Sequence, residues 1–321
     1  MLKLFSLFFL MILPLLAEEI PSEEKFEPET IKSEQETPVA TYQIDDYSVS
    51  PEKEYTLKPF FATRKSSLSL KSSNNSTTFA TKPLSTAGAN LYFGNFGAGI
   101  GVAIDNGLYS DKKYGKTESS DFQLGYFAPQ IIAVIYFTSY KGFYETDSQN
   151  PLGQKKSLAS RPKMESYELG ISGTYFFNTN FSYSAAFNQH RIQKKSAFSL
   201  VLEGNLYQNK ISDMSDSDAA SFINLAVLGG GAAIYVQNSF FASAMFVLGP
   251  AIQYQKFDKY ENEEDKMRPS FKGKVKFSTG YNSERFFGGI GGDTAHSISF
   301  LSDSKLIYAD YLCEFFLGLR F

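Results

Sequence analysis

The chain has 321 residues, with 31 Phe and 20 Tyr but no Trp, one Cys, two His and a formal net charge of −3. A single cysteine excludes an intramolecular disulfide framework, and with only two histidines beside it a structural zinc site is disfavoured. Outside the N-terminus no apolar run is long enough for a membrane-spanning helix, which excludes a polytopic helical membrane protein.

A signal peptide is predicted at residues 1–17. Lys3 supplies the positive charge, Leu4–Leu16 form the apolar run, and Ala17 is a small residue suited to cleavage. The run is shorter than the about 20 residues that a spanning helix needs. We therefore expect an exported protein whose mature chain begins near Glu18.

An acidic, disordered periplasmic tether is predicted at residues 18–57. Glu18–Glu54 contains twelve acidic residues, three lysines and four prolines, with a net charge of −9 and no apolar periodicity. Such a segment buries too little apolar surface to offset the chain entropy lost on folding. It is interpreted as a solvated spacer, which we favour, or as a contact segment for a periplasmic partner.

The remaining chain, residues 58–321, alternates apolar and polar residues in the period-two pattern of β-strands. Turn signals such as Asn106-Gly107 and Asn282-Ser283 separate the runs. About twelve strands, within a range of about 10 to 14, are predicted near residues 86–94, 97–105, 119–127, 130–141, 165–177, 181–190, 196–207, 222–236, 240–255, 270–281, 285–299 and 305–321. A further weak pair is predicted at 66–82.

The predicted strands place their connections on inconsistent sides of the membrane, which we call the parity conflict. In bacterial barrels the short turns share one side of the membrane. The long connections 142–164 and 208–220 nevertheless fall on opposite sides when the strands are counted in order. One strand in the list is therefore missing or miscounted.

The strands favour an all-β, closed antiparallel transmembrane barrel over a secreted β-sandwich. Apolar residues occupy every second position from Cys313 to Phe321, and Phe and Tyr crowd the strand ends, as in interfacial girdles. We expect Phe321 to act as the assembly signal of the last strand. The expected partners are outer-membrane lipid and, through that strand, the barrel-assembly machinery.

Several motifs in the body occur together and in order: YKGFY at Tyr140–Tyr144, RP at Arg161-Pro162, FSYSAAFNQ at Phe181–Gln189, QKKSA at Gln193–Ala197, GYNSERFF at Gly280–Phe287 and GLRF at Gly318–Phe321. They resemble an uncharacterised family of Gram-negative outer-membrane β-barrels, domain of unknown function forty-four twenty-one. The resemblance spans about residues 85–321. It implies a barrel in the outer membrane, and it implies no catalytic residues.

No catalytic residues and no cofactor are predicted. The chain lacks G-x-S-x-G, and neither His190 nor His296 is followed two residues later by a serine, as an outer-membrane phospholipase needs. Both are interpreted as exposed strand-end histidines. We expect the protein not to be an enzyme.

No metal or nucleic-acid site is predicted either. Asp213, Asp216 and Asp218 lack the spacing of a calcium loop and are interpreted as a polar loop. Gly97–Gly101 alternates as a strand rather than opening a nucleotide-binding helix. Basic residues are interspersed with acidic ones, which argues against a nucleic-acid surface.

One polar cluster is predicted at the junction of two strands: Asn188, Gln189, Gln193, Lys194 and Lys195. It is interpreted as a tight turn that fixes strand register through side-chain hydrogen bonds, which we favour, or as a pore-mouth or ligand site.

A second candidate set is a ladder of lysines, Lys272, Lys274 and Lys276, which period two places on one face of a strand. A lysine facing lipid at the midplane costs about 2–4 kcal/mol, so we expect the ladder to face the lumen. Glu203 and Glu314 are expected to project inward on their own strands. Paired lysines would fill the lumen, and unpaired ones would favour anions.

The predicted function is that of an outer-membrane barrel of unknown specific activity, acting as a channel or small-solute transport protein. The solute is not identified by the sequence. The alternatives are a non-conducting structural or adhesive barrel with a filled lumen and working surface loops, and, least favoured, an outer-membrane enzyme.

Overall fold

A computed structural model describes residues 46–72, 76–104, 115–146, 159–213, 219–257, 266–300 and 304–321. The predicted signal peptide and the predicted tether as far as residue 45 lie outside the described residues. Residues 46–54, the last part of the acidic segment, contain a two-residue strand, β1 (Ser48–Val49).

The other strands are β2 (Tyr55–Ser72), β3 (Ser76–Ala80), β4 (Leu84–Phe93), β5 (Phe96–Ile104), β6 (Glu118–Phe127), β7 (Ile131–Thr146), β8 (Ser160–Phe176), β9 (Ile192–Gln193), β10 (Ala197–Ser212), β11 (Ala219–Gln237), β12 (Phe240–Phe257), β13 (Lys266–Asn282), β14 (Phe286–Phe300) and β15 (Ser304–Arg320). A short π-helix, Ser184–Asn188, lies between β8 and β9. Among the described residues no helix has the length and apolarity to span a membrane.

Twelve of these strands form a closed antiparallel transmembrane barrel. Each pairs with the next in the order β2, β4, β5, β6, β7, β8, β10, β11, β12, β13, β14 and β15, and β15 returns to pair with β2. At this last junction Phe316 lies opposite Phe60, and Glu314 lies opposite Ala62. Closure leaves no unpaired sheet edge, as a bilayer requires. The predicted fold class and strand number are confirmed.

The two ends of the barrel differ. At the turn end, β2 begins, β15 ends, and short turns at 94–95, 128–130, 238–239 and 283–285 join the strands. At the opposite loop end the wall narrows, because β3 pairs with both β2 and β7 and bypasses the shorter strands β4, β5 and β6. The wall therefore changes from twelve strands to ten towards the loop end.

A bulge in β7 lies where the narrowing begins. The register shifts between Lys141 and Phe143, and Gly142 has φ of 84°. A Cβ atom there would lie 2.1 Å from the carbonyl oxygen of Lys116, so only glycine fits. Thr117 Oγ1 donates to the Gly142 carbonyl at 2.8 Å. The bulge thus lets β7 leave β6 and pair with β3.

Two corrections to the strand list resolve the parity conflict. The predicted strand at 181–190 is the π-helix and its flanks. Conversely, β2 is one long strand from Tyr55, of which the sequence pattern indicated only a weak part at 66–82. The connections 147–159 and 213–218 then join strands at the same loop end. The count stayed at twelve because one false strand replaced one missed strand.

The physical reason for the false strand is burial on every side. Phe181, Tyr183, Ala185 and Phe187 alternate with Ser182, Ser184, Ala186 and Asn188, three of which are polar, much as in a strand. The segment lies inside the barrel, where consecutive residues are buried irrespective of their parity. A period-two pattern indicates a strand when one face of the segment is turned to solvent or lipid. Neither face of this segment is turned that way.

The outer face carries an apolar band that ends in an aromatic girdle. At the turn end the exposed aromatic residues are Tyr55, Phe93, Phe96, Tyr126, Tyr175, Phe177, Phe198, Tyr235, Phe240, Tyr281, Phe286 and Phe321. On β11 the band runs from Leu225 to Tyr235. The ten steps between successive residues, at about 3.3 Å each and with a strand tilt of about 40°, span about 25 Å. That height matches the apolar band of membrane barrels.

The inner face is filled at two levels. Near the turn end, one buried cluster includes Phe176, Phe181, Phe187 and Phe316. Near the loop end, a second includes Leu68, Phe79, Phe143, Met164, Ile211 and Phe222. Polar and charged side chains occupy the interior between the two clusters.

Candidate luminal chamber and plug

The lysine ladder of β13 lies on the inner face of the barrel. Its neighbours of opposite parity, Phe271, Val275 and Phe277, are exposed on the outer face. The inner face is identified by contacts that cross the lumen, since Lys274 and Lys272 reach β10, two strands beyond β12 in the sheet. The period-two geometry of one strand therefore separates lipid-facing from lumen-facing groups.

Lys274 is held by an ion pair in the lumen. Its Nζ atom lies 2.5 Å from Glu203 Oε1, and Glu203 is only 3% exposed. Asn205 Nδ2 donates to the same oxygen at 2.8 Å, and Thr174 Oγ1 donates to Oε2 at 3.4 Å. The carboxylate is thus satisfied by a cation and two neutral donors, as a buried charge requires.

The other two lysines have different surroundings. Lys272 Nζ lies 3.6 Å from the centroid of the Tyr207 ring, and Lys276 Nζ lies 3.3 Å from Tyr183 Oη. Among the described residues, no carboxylate oxygen lies within 4.0 Å of either ammonium group. Asp293 faces Lys276 across the β13–β14 register and makes no hydrogen bond or ion pair with described residues.

Further charged groups line the wall where the barrel closes. Lys58 Nζ lies 3.0 Å from Glu314 Oε1, and both side chains line the smaller of two cavities inside the barrel. Arg64 is ion-paired with Asp121. Asp310 accepts a hydrogen bond of 2.9 Å from Tyr140 Oη.

These groups surround two neighbouring cavities, which together we call the chamber. The larger cavity, of about 270 Å³, is lined by the three lysines of the ladder, by four carboxylates, and by Tyr136, Tyr183, Tyr207 and Tyr308. The smaller, of about 160 Å³, is lined by Lys58, Arg64, Asn188 and Glu314 among others. Lys276 and Asp293 line both cavities.

The segment 178–196, which we call the plug, folds into the turn end of the barrel. Ser243 Oγ donates to the carbonyl of Ala186 at 2.7 Å, and Lys58 Nζ donates to that of Phe187 at 3.1 Å. Arg320 donates to the carbonyls of Gln189 and Ser283 and, at 2.6 Å, to Asn282 Oδ1. Asn282 Nδ2 also donates to the carbonyl of Arg191 at 3.0 Å, so side chains of four wall strands hold the plug backbone.

The predicted polar cluster of the plug is divided between three environments. Asn188 is 7% exposed, faces the smaller cavity, and its Nδ2 atom has no hydrogen-bond partner among the described residues. Gln189 is buried with φ of 60°. Gln193 forms side-chain hydrogen bonds with the backbone of Ser182, Asn180 and Lys195, and these bonds stabilise the fold of the plug. Lys194 and Lys195 are exposed.

The end of the acidic segment crosses the plug. β1 pairs antiparallel with β9, with Ser48 opposite Gln193, and Lys194 N donates to the carbonyl of Tyr47 at 2.7 Å. Arg191 Nη1 donates to Ser50 Oγ at 2.8 Å. We call residues 46–50 the strap, because they connect the N-terminal segment to the plug before β2 begins.

The interpretation of both histidines as exposed at strand ends is wrong for His190, because the plug that carries it is packed inside the barrel. His190, in the plug, is buried and stacks on Tyr92 with ring centroids 4.6 Å apart. Burial and the charges of Arg191 and Arg320 lower the pKa of His190 to about 3, so the ring is neutral at physiological pH. His296 is exposed on the outer face beside Tyr311.

Of the three aspartates interpreted as a polar loop, Asp213 has φ of 56°, and Asp216 and Asp218 lie outside the described residues. In the part of the chain that the structure describes, no three His, Cys, Asp or Glu side chains are grouped so that they could hold a metal ion.

Sequence reasoning missed Lys58, Arg64, Asp121, Asp293 and Arg320. A signal existed for the first two, since they share the parity of Phe60 on β2 and so point inward with it. Arg320 lies within the GLRF motif, but no sequence rule links this motif to the plug residue that Arg320 contacts. The pattern within one strand does not predict which side chains meet across the lumen.

The structural comparison matches this chain to three solved structures, among others. The outer membrane protease OmpT of Escherichia coli has a TM-score of 0.37 at 6% identity, with coverage of 84% of this chain and 97% of that chain. Ail, the attachment invasion locus protein of Yersinia pestis, has a TM-score of 0.25 at 11% identity, with 83% and 99% covered. OmpT of Vibrio cholerae has a TM-score of 0.29 at 8% identity, with 83% and 98% covered.

No curated protein matches the sequence. A family match does exist: residues 43–306 correspond to the family described as Domain of unknown function (DUF4421). The match begins in the acidic segment just ahead of the strap and extends into β15. Because it covers more than four fifths of the chain, the protein belongs to the DUF4421 family.

Proposed function

We propose that the protein is a gated barrel of the outer membrane, which is closed at rest and admits small polar solutes when the plug moves. The observation that carries the proposal is a charged chamber directly behind a plug that a few polar side chains hold in place. A permanently open pore is disfavoured, because packed apolar side chains cross the lumen on both sides of the chamber.

The location is supported by the outer surface and by the sequence. An aromatic girdle bordering an apolar band is the surface that membrane barrels present to lipid. The predicted signal peptide supplies a route of export. Phe321 directly follows the last strand, and its backbone N and O atoms form hydrogen bonds with the Tyr55 backbone at 3.1 and 3.2 Å. We propose that the assembly machinery recognises this strand.

Movement of the plug requires the loss of a few polar contacts and of the packing of Phe181 and Phe187 in the cluster near the turn end. Arg320, Ser243, Lys58 and Asn282 supply the side-chain anchors, and the strap supplies a two-residue strand pairing. A typical hydrogen bond contributes about 0.5–1.5 kcal/mol net and a buried Phe side chain about 1.5–3 kcal/mol, so movement needs a partner or a solute that replaces these contacts. The acidic segment ahead of the strap is the part that a periplasmic partner would reach.

A second candidate is a structural or adhesive barrel that never conducts. It is favoured by the Lys274–Glu203 ion pair and by the two apolar clusters, which are typical of a filled lumen. This candidate assigns the chamber no solute. An enzymatic role stays the least favoured proposal.

Conductance of the purified full-length chain in planar bilayers separates these candidates. The decisive variant is Arg320→Gln, which removes the guanidinium from three acceptors in and beside the plug. Its matched control is Arg285→Gln, because Arg285 is exposed in the neighbouring turn. We expect rare openings in the wild type and the control, and frequent openings in Arg320→Gln.

Folding of each variant is checked by the shift in gel migration on boiling. Steady conductance of the wild type at the level of Arg320→Gln would contradict a closed resting state. Silence of both Arg320→Gln and the double variant Arg320→Gln/Ser243→Ala, with both folded, would overturn gating and support the structural barrel.

A further inference from the structure

We propose that the chamber opens towards the loop end at a seam between β3 and β7, where β3 and the part of β2 that pairs with it turn outward together. We call these paired segments, residues 67–71 and 76–80, the flap. The inference rests on the proposed function and deepens it, because movement of the plug opens only the turn end. The apolar cluster near the loop end still closes the other side of the chamber, so a passing solute needs a second opening.

The seam is the shortest strand pairing within the described barrel sheet. β3 and β7 pair only at residues 78–80 and 144–146. On its other edge β3 pairs with β2 over five residues, 67–71. The same residues of β2 pair in turn with residues 305–309 of β15. β3 therefore stays with β2 when the seam separates, and the flap turns about its edge with β15.

Side chains and a backbone bond also join β3 to β2. The hydroxyl oxygens of Ser69 and Thr78 lie 2.8 Å apart. Thr81, the residue after β3, is buried and donates its N–H to the carbonyl of Ser66 at 2.9 Å. Ser66 N donates in return to Thr81 Oγ1 at 2.9 Å. These bonds fix the base of the flap, so movement is confined to the part beyond Ser66.

The β7 side of the seam is held by β8 instead. Tyr144 pairs with Ser160, and Glu145 N donates to the carbonyl of Ala159 at 2.8 Å. The side chains of Glu145 and Arg161 form an ion pair of 3.6 Å. The two edges of the seam are thus attached to different neighbours, and their separation breaks neither attachment.

The seam lies above the apolar band. Ala80 pairs with Ser67, which is twelve residues along β2 from the girdle residue Tyr55. The band itself extends over ten residue steps, as on β11. Inside the hydrocarbon layer a separated pair of strands would leave backbone groups without hydrogen bonds, whereas above that layer water satisfies them. The seam is therefore at a level where the wall can open.

Opening of the seam divides the apolar barrier that closes the loop end. Phe79 on β3 and Leu68, opposite it on β2, are buried members of the cluster and move with the flap. Phe143, on β7, stays on the other edge. Tyr140 belongs to the same cluster and donates to Asp310 of the larger cavity, so the barrier directly adjoins the chamber. Separation of the two edges would thus connect the chamber with the outside.

The test is a disulfide across the seam. Thr78→Cys/Thr146→Cys joins β3 to β7 at two directly opposite positions, a separation that a disulfide can span. The pair is introduced together with Arg320→Gln, so that the plug does not hide the result, and with Cys313→Ser, which removes the native cysteine. We expect frequent openings in planar bilayers under reducing conditions, loss of these openings on oxidation, and their return with dithiothreitol. Mass spectrometry measures the oxidised fraction.

Lys71→Cys/Lys305→Cys in the same background is the matched control. These two residues are exposed and lie opposite each other, so their disulfide joins β2 to β15 and leaves the seam free. Openings should persist when it is oxidised. Phe79→Ala with Arg320→Gln tests the seam without a disulfide, and it should open more often because the barrier loses an apolar side chain. Boiling-dependent gel migration shows that each variant is folded.

Unchanged openings after complete oxidation of the seam disulfide would overturn the seam and leave the gating by the plug intact. Equal loss of openings in the oxidised control would overturn it too. A folded Arg320→Gln variant that never conducts would overturn the plug gate instead. Hydrogen exchange then decides the seam: faster exchange at residues 76–80 than at residues 304–310, which pair with β2 at the same height, would support it, and equal exchange would overturn it.

Discussion

Lys58 on the first barrel strand and Glu314 on the last form an ion pair of 3.0 Å inside the lumen, at the junction where the barrel closes. The same ammonium group donates to the carbonyl of Phe187 in the plug and lies 4.0 Å from the Phe316 ring centroid. One side chain therefore connects the closing strands to the plug. Because Lys58 is 3% exposed, its removal leaves a carboxylate without its cation in a largely buried place.

Replacing Lys58 with Met should lower the free energy of unfolding by about 3 kcal/mol, the effect of breaking a buried ion pair. The double variant Lys58→Met/Glu314→Leu should recover most of that loss. Lys141→Met is the control, since its pair with Glu165 is exposed and is worth at most about 1 kcal/mol. Urea unfolding in lipid vesicles measures all three. Equal losses in Lys58→Met and Lys141→Met would contradict the importance of burial.

His190 should make the barrel less stable in acid. Its pKa is about 3 in the folded chain and about 6.5 when unfolded, so the unfolded chain binds the proton more tightly. Its contribution is complete above about pH 6.5 and is lost as the pH falls towards 3. At pH 5 the loss is about 2 kcal/mol.

The measurement is urea unfolding of the wild type and of His190→Phe at pH 7 and pH 5. Phe retains the stacking on Tyr92 and the edge contact with Phe127 but does not titrate. Other groups titrate in both proteins, so the difference between their pH dependences isolates His190. An identical pH dependence in the two proteins would show that His190 is not buried as neutral imidazole.

Deletion of Phe321 should reduce the amount of assembled barrel in the outer membrane. The deletion removes two backbone hydrogen bonds to Tyr55 and a ring that stacks on the Tyr55 ring at 5.8 Å. Phe321→Tyr should assemble normally, because it retains both. Boiling-dependent gel migration of membrane fractions measures assembly. Full-length protein in the soluble periplasm, with no shift on boiling, would refute outer-membrane insertion.

The lysine ladder should influence ion selectivity once the plug is displaced. In an Arg320→Gln background, changing Lys272, Lys274 and Lys276 to Gln removes three luminal cations and leaves Glu203 without its ion pair. The reversal potential in a salt gradient should therefore shift towards cation preference. Lys65→Gln in the same background is the control. An unchanged reversal potential in the triple variant would show that ions do not pass the ladder.

The strap should matter more than the acidic segment before it. Deleting residues 18–45 should leave a folded barrel with a protected plug. Deleting residues 18–50 also removes the pairing of β1 with β9 and should increase cleavage of the plug by added protease. Residues 18–45 should themselves be cleaved readily in the full chain. Protection of that segment, or failure of either variant to assemble, would contradict a spacer role.

The sequence by itself determined which residues of each strand face lipid and which face the lumen. A strand turns successive side chains to opposite faces, so the parity of Phe271, Val275 and Phe277 fixed that of the lysines between them. The same rule assigned Glu203 and Glu314 inward. It also predicted a barrel of about twelve strands, because the alternation repeats at near-regular spacing along the body.

Only the tertiary structure decided what the inward residues meet. Lys274 and Glu203 are 71 residues apart and come together because strand tilt and closure set which levels of the wall face each other. The plug could not be recognised, since Phe181–Gln189 alternates as a strand does and yet is buried on every side. Apolar and polar residues alternate predictably only when the two faces of a segment lie in different surroundings, such as lipid and lumen. A segment packed inside a closed barrel has similar surroundings on both faces.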